Sequence, residues 1–198
     1  MSKPFTSFGE LPTAGGYTMA EVASAFQKCI RRGDEEGALF WGSELELSGY
    51  AGYAWKRMLV VTSEDVGPGE PGIAAELAGL YASWQALSSK KDATHKPERL
   101  PFMHGIILLA RARKSRVVDN ACVKFFLGPR PRREIPDFAL CKHTRRGRQL
   151  KRGFDHFFAV GAVIANENPA CPDPYKDEAR ALLTTGLAKD APQQEELF

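Results

Sequence analysis

Several things are scarce in this 198-residue chain, and each scarcity excludes something. No apolar run approaches the ~20 residues needed to span a bilayer, and the N-terminus lacks a basic-then-apolar signal pattern. No membrane is therefore expected among its partners. Only four cysteines occur, Cys29, Cys122, Cys141 and Cys171, scattered and without a C-x-x-C, so reduced thiols in a cytoplasmic chain are expected. Cys141, His143, His156 and Cys171 carry zinc-binding chemistry, but their spacing fits no tight finger pattern, and no metal is expected. No Cys or Ser sits in an activating context for nucleophilic catalysis. A G-x-x-x-x-G-K-[ST] phosphate loop is nowhere in the sequence, so neither ATP as a cofactor nor ATP hydrolysis is expected. The reading is of a protein that is not an enzyme. Stretches alternating with period two are also few, which makes the expected fold class all-α.

What is present in excess is charge of unequal distribution. The net charge is only +3, yet residues 1–80 hold 6 Lys/Arg against 11 Asp/Glu, residues 81–152 hold 18 against 5, and residues 153–198 hold 3 against 8. A basic block between acidic flanks is an electrostatic footprint for phosphate backbones, unless it pairs internally with those flanks. Its densest part runs from Lys142 to Arg152, with Lys142, Arg145, Arg146, Arg148, Lys151 and Arg152 and no acid. In a helix, Arg145, Arg148 and Arg152 would form one stripe, suited to DNA phosphates. A second cationic group, Arg111, Arg113, Lys114 and Arg116, is the alternative place for such contacts. Phe154, Phe157 and Phe158 follow the basic run; at helical spacing such rings are more often core than base-stacking platforms.

Helical periodicity organises the rest. Residues 1–17, rich in Gly, Pro, Ser and Thr, read as a flexible leader. Thr18 and Glu21 fit a capping box ahead of Met19, Val22, Ala23, Phe26, Cys29 and Ile30, with Gly33 as the stop. Asp34 is placed to cap a second helix ending near Gly49, and a third runs from Tyr50 to Thr62. A fourth carries Ile73, Leu77, Leu80, Trp84 and Leu87 on one stripe. A fifth spans Leu100 to Arg113 with Pro101 in its first turn, and His104 on its apolar run reads as a core or interface histidine. A sixth, capped by Ser115, reaches Leu127 with Val118, Cys122, Phe125 and Phe126 expected to face inward. Beyond Gly128-Pro129, the pattern predicts a helix through the Phe154–Val163 region and a last short one from Tyr175 to Thr185.

Two sets of residues bring known families to mind. The final residues Gln194, Leu197 and Phe198 give Q-x-x-L-F, which resembles the pentapeptide by which bacterial proteins attach to the replicative sliding clamp, with Glu195 where Leu is usual. Adjacent apolar anchors and a rim amide suit peptide-in-groove recognition. Phe26-Gln27-Lys28-Cys29-Ile30-Arg31, Asp34, Ala38-Leu39-Phe40-Trp41, Gly49, Arg57 and Ser63-Glu64-Asp65-Val66-Gly67, followed by Pro71, Leu100-Pro101, Leu109-Ala110 and Lys114-Ser115, form the second set. In this order they resemble the C-terminal region of the replication-associated recombination ATPases, relatives of clamp loaders.

That resemblance covers residues 19–127 and weakens past residue 128. It implies a clamp-loader-collar-like multi-helix domain lacking the ATPase module, which self-associates as a tetramer or dimer. Phe40, Trp41, Tyr53 and Trp55 are the apolar residues looked to for that contact. The domain reading is a leader (1–17), the collar-like domain (18–127), a basic and aromatic helical extension (128–188) and a flexible tail (189–198). The expected function is that of a non-enzymatic DNA replication, recombination and repair accessory protein, with the sliding clamp and DNA as partners. The alternatives are a nucleic-acid-binding regulator of phage or mobile-element origin, and an assembly module that binds a related ATPase. Ser63, Glu64 and Asp65 read as caps and orienting partners for a neighbouring turn, not as catalytic groups.

Overall fold

A computed structural model describes residues 7–88 and 95–185. Within them every regular element is helical apart from a single isolated bridge, so the all-α expectation holds. The chain divides into two compact units, Met1–Arg130 and Pro131–Phe198.

The first unit begins with α1 (Met19–Arg32), whose apolar positions Met19, Val22, Ala23, Phe26 and Ile30 are all buried. Gly33 ends it with φ 72°, a left-handed residue only glycine takes up cheaply. Asp34 then caps α2 (Glu35–Leu47) by accepting the Gly37 N–H at 3.0 Å, so the two helices form a tight hairpin. α3 (Ala51–Val61) runs on without a break into a π-helical turn, Thr62–Val66, which a 3-10 turn at Gly67–Gly69 closes. α4 (Ile73–Ser88) and α5 (Arg99–Arg111) complete the core. Trp55 lies at its centre with no exposure, its ring 5.3 Å from Tyr81 and 5.9 Å from both Trp84 and Phe102. A methyl group at Gly42 would overlap Ile106 and press on Phe26, so this glycine sets how closely α2 approaches α5 and α1.

Four expectations are corrected here. The part of the leader that is described, residues 7–17, is tied down as a strap. Pro12 bridges to Thr18, Gly15 N–H donates to the Glu44 carboxylate at 2.6 Å, Ala14 N–H donates to Ser48 at 2.8 Å, and Phe8 packs on Tyr50 and Tyr53. The capping box at Thr18 does not form. The Met19 N–H is taken by the Leu11 carbonyl of the strap, and the Thr18 side chain makes no cap bond. The sixth helix is shorter: α6 (Val117–Cys122) passes into a π-helical turn, Val123–Leu127. Its apolar residues face outward, with Val118, Cys122, Phe125 and Phe126 all exposed and Phe126 at 75%. Finally, His104 is exposed, which removes its core role.

The second unit is built differently. It holds a 3-10 turn at Asp137–Ala139, α7 (Arg145–Gln149), α8 (Phe154–His156) continued by a π-helical turn at Phe157–Gly161, and α9 (Lys176–Thr185). Leu140 is the one buried large apolar side chain among its described residues. Phe154, Phe157 and Phe158 are half-buried and pack on one another. Gly147 lets α7 lie against the Leu140–Cys141 backbone, because a methyl there would overlap the Cys141 carbonyl. No described helix in either unit is long and apolar enough to cross a membrane.

Candidate functional site

The landmarks that looked separate in sequence converge in the first unit on one polar hub. Asp65, on the π-helical turn after α3, is fully buried and accepts from Arg31 Nε of α1 at 2.6 Å. Arg31 Nη2 reaches Glu64 at 2.9 Å. The other Glu64 oxygen accepts from Gln27 Nε2 at 3.0 Å, and the Gln27 carbonyl accepts from Arg57 of α3. Arg116 approaches both carboxylates at 3.7 Å and pairs with Asp119. Burying a carboxylate is tolerated only with such partners. The first cause of the raised Arg31 pKa is its hydrogen bond with Asp65, which holds the guanidinium charged.

The Lys114-Ser115 pair closes the hub from outside. Ser115 N–H donates to the Asp65 carbonyl at 2.8 Å. Lys114 donates to the carbonyls of Leu109, Ala110 and Ala112 at 2.6–3.0 Å, filling the open end of α5 where a cation also meets the helix dipole. Burial lowers the pKa of this ammonium, while the Asp65 charge acts in the opposite sense. Gly69 lies against the Arg113–Ser115 backbone so closely that any side chain would collide with it. Glu64 and Asp65 thus orient a neighbouring turn, while Ser63 is exposed and stands apart from the contacts, and the arrangement is a structural clamp.

Internal pairing decides which half of the basic block remains available. In the first unit Arg99 pairs with Glu46, Arg111 with Glu35 and Arg113 with Glu70, at 2.8, 2.5 and 3.0 Å. Of the group at 111–116, Arg111 and Arg113 are therefore compensated by acids of the N-terminal region, Arg116 by Asp119, Glu64 and Asp65, and Lys114 is spent on backbone carbonyls. The second unit is not. Arg132, Arg133, Arg145, Arg146 and Lys151 have exposed side chains and form no ion pair among the described residues. Arg132, Arg133 and Arg146 line a groove of about 670 Å³ together with Glu134 and Ile135.

The helical stripe expected of Arg145, Arg148 and Arg152 does not form. α7 stops at Gln149, Lys151 turns to φ 55°, and Arg152 folds back to Asp137 at 2.5 Å and to the Leu140 carbonyl. Arg148 donates to the His143 carbonyl, and Lys142 sits 3.4 Å above the Phe154 ring. Arg180 lies over Phe158. Those ring faces are occupied by cations. Sequence reading missed Arg132 and Arg133, whose Pro-rich surroundings gave no periodic signal. Cys141 contacts His143 at 3.3 Å, and among the described residues no group of three metal-ligating side chains gathers. Gln194, Leu197 and Phe198 lie outside the described residues.

No family model matches the chain. Two curated proteins do. The chain is similar to replication-associated recombination protein A. The protein of that name from Bacillus subtilis (strain 168) is 26% identical over 166 residues, which cover 80% of this chain and 37% of the relative. Its namesake from Haemophilus influenzae is 28% identical over 162 residues, covering 77% and 34%. The chain thus spans about a third of the length of the curated relatives it matches, in keeping with a resemblance to one region of replication-associated recombination protein A. The match is wider than residues 19–127: four-fifths of 198 residues is about 158, more than the first unit contains, so it enters the second unit wherever it starts.

Proposed function

We propose that this chain is an accessory module of replication-associated recombination and repair, non-enzymatic in itself, that binds DNA through its second unit. Similarity to replication-associated recombination protein A supports the process. The observation that carries the DNA reading is the contrast in charge pairing: Arg99, Arg111 and Arg113 are neutralised, while Arg132, Arg133, Arg145, Arg146 and Lys151 are left to solvent. Phosphate contacts from such side chains release counterions and make binding steeply salt-dependent. Replacing Arg132, Arg133 and Arg146 by Ala should lower DNA affinity and reduce the slope of log K against log salt by roughly 2–3. Fluorescence anisotropy over a salt series measures both. The Arg111→Ala, Arg113→Ala pair should leave the slope close to its starting value, and the reverse outcome would move the site to the first unit.

Two further contacts belong to the same proposal. Self-association is supported by the outward face of α6 and its π-helical turn, where Val117, Val118, Val123, Phe125, Phe126 and Leu127 are exposed. Trp55 takes no part, being buried. The same face suits the second reading, a contact with a related ATPase. Light scattering on wild type and on Phe126→Glu, Leu127→Glu distinguishes a self-contact, which dissociates, from a hetero-contact, which leaves the mass unchanged. Tethering to the sliding clamp would use Gln194, Leu197 and Phe198. A peptide of residues 189–198 should compete for the clamp, and the Leu197→Ala, Phe198→Ala peptide should bind about thirtyfold more weakly.

A further inference from the structure

A small basic recess on the first unit, formed by α1 and α3, opens beside the hub and shares Gln27, Arg31 and Arg57 with it. It has a volume of about 240 Å³, and Ser24, Gln27, Lys28, Arg31, Tyr53 and Arg57 line it with two alanines and no carboxylate. We propose that this recess binds a phosphate group.

The case rests on how Arg57 is held. Four arginines are fixed by carboxylates: Arg111 by Glu35, Arg113 by Glu70, Arg99 by Glu46 and Arg152 by Asp137. Arg57 is positioned instead by a neutral acceptor, the Gln27 carbonyl oxygen, and Gln27, only 6% exposed, is itself fixed by Glu64. The amide relay orients the guanidinium without cancelling its charge. Arg57 Nε is shut off from solvent without an acceptor, so the contact with an anion falls to the guanidinium nitrogens at the recess. Lys28 is likewise uncompensated; its ammonium donates to the Ser24 hydroxyl at 2.8 Å and meets no carboxylate among the described residues. Arg31 contributes a third cation, with Nε and Nη2 committed to Asp65 and Glu64 and Nη1 left over. Lys as a point charge and Arg as a planar donor together suit a phosphate, whose three oxygens accept more bonds than the two of a carboxylate. The volume admits a phosphate and part of the group bearing it.

The phosphate could be free inorganic phosphate or the terminal phosphate of a nucleic-acid strand. Calorimetric titration of the full chain with inorganic phosphate, against sodium chloride at matched ionic strength, should give saturable binding. Lys28→Ala, an exposed position outside the hub, and Arg57→Gln should each weaken it about tenfold, the loss of one charge-assisted bond. Arg132→Ala, Arg133→Ala should leave it unchanged, which separates this site from the DNA groove of the second unit. Short oligonucleotides with and without a 5′-phosphate then identify the source: preference for the phosphorylated strand, lost in Lys28→Ala, assigns strand ends, and equal binding assigns the free ion. Absence of saturable phosphate binding, or binding indifferent to both Lys28→Ala and Arg57→Gln, overturns the proposal.

Discussion

The two units of this chain are held together by different means. Residues of the first completely bury Trp55, Phe26 and Phe102, and Arg99, Arg111 and Arg113 of its α5 and the segment after it are matched by acids. Among its described residues the second buries Leu140 and little else that is apolar; its half-exposed Phe154 and Phe158 carry cations on their faces, and backbone bonds and turns do the rest. The difference separates a scaffold from a surface. Where the core is large, charge can be neutralised and fixed; where the core is small, the arginines remain with solvent and are free to meet another molecule.

The comparison breaks most visibly at Trp55. Trp55→Ala should destabilise the first unit by about 3–5 kcal/mol, the range for emptying a large aromatic site, and urea denaturation followed by circular dichroism gives the value. Asp65→Asn comes next. It strips Arg31 of its buried partner while leaving the shape intact, and because Arg31 is partly exposed the loss should be about 2 kcal/mol in the same measurement. An unchanged midpoint would mean that the hub is ornamental. In the second unit Gly147→Ala should cost about 1–2 kcal/mol through overlap with the Cys141 carbonyl, visible as faster proteolysis within residues 131–185.

Acid should produce the smallest effect. Hydrogen bonds from Arg111, Arg113 and Arg152 lower the pKa values of Glu35, Glu70 and Asp137 in the folded chain. Their contribution is present above the ordinary carboxylate range and is lost as pH falls through the lowered values. Stability should therefore decline only below about pH 4, and less so in Arg111→Ala. All three carboxylates are exposed to screening, so added salt should shrink the decline further.

Much of the first unit was legible in sequence because its signals are local. The spacing of Met19, Val22, Phe26 and Ile30, the stop at Gly33 and the cap at Asp34 each act within one or two turns of helix. The strap was not legible, since its bonds go to Glu44 and Ser48, about thirty residues away. Periodicity also marks which residues share a face without telling whether anything covers it, and so α6 was expected to point inward. The stripe at 145–152 failed for a backbone reason: Lys151 leaves helical geometry, and Arg152 finds a closer partner in Asp137. As for the hub, its residues were visible as landmarks, but the relay from Glu64 through Gln27 to Arg57 needs α1 brought against the run of α3 and its π-helical turn, about thirty residues away, which no local pattern encodes.

The π-helical turn at Thr62–Val66 carries a consequence for how this sequence tolerates change in length. Such a turn holds one residue more than an α-helical turn, and a deletion inside it could be absorbed without breaking the helix. The change would stay within the turn. An α-helical turn sweeps the same rotation with one residue fewer, so the chain beyond it keeps its face of the helix and the 3-10 turn at Gly67–Gly69 keeps its seat. What one residue fewer removes is a place against Arg31, which Glu64 and Asp65 now fill side by side. The extra residue therefore serves the hub: a single-residue deletion here should spare the helix and weaken the Arg31 contact.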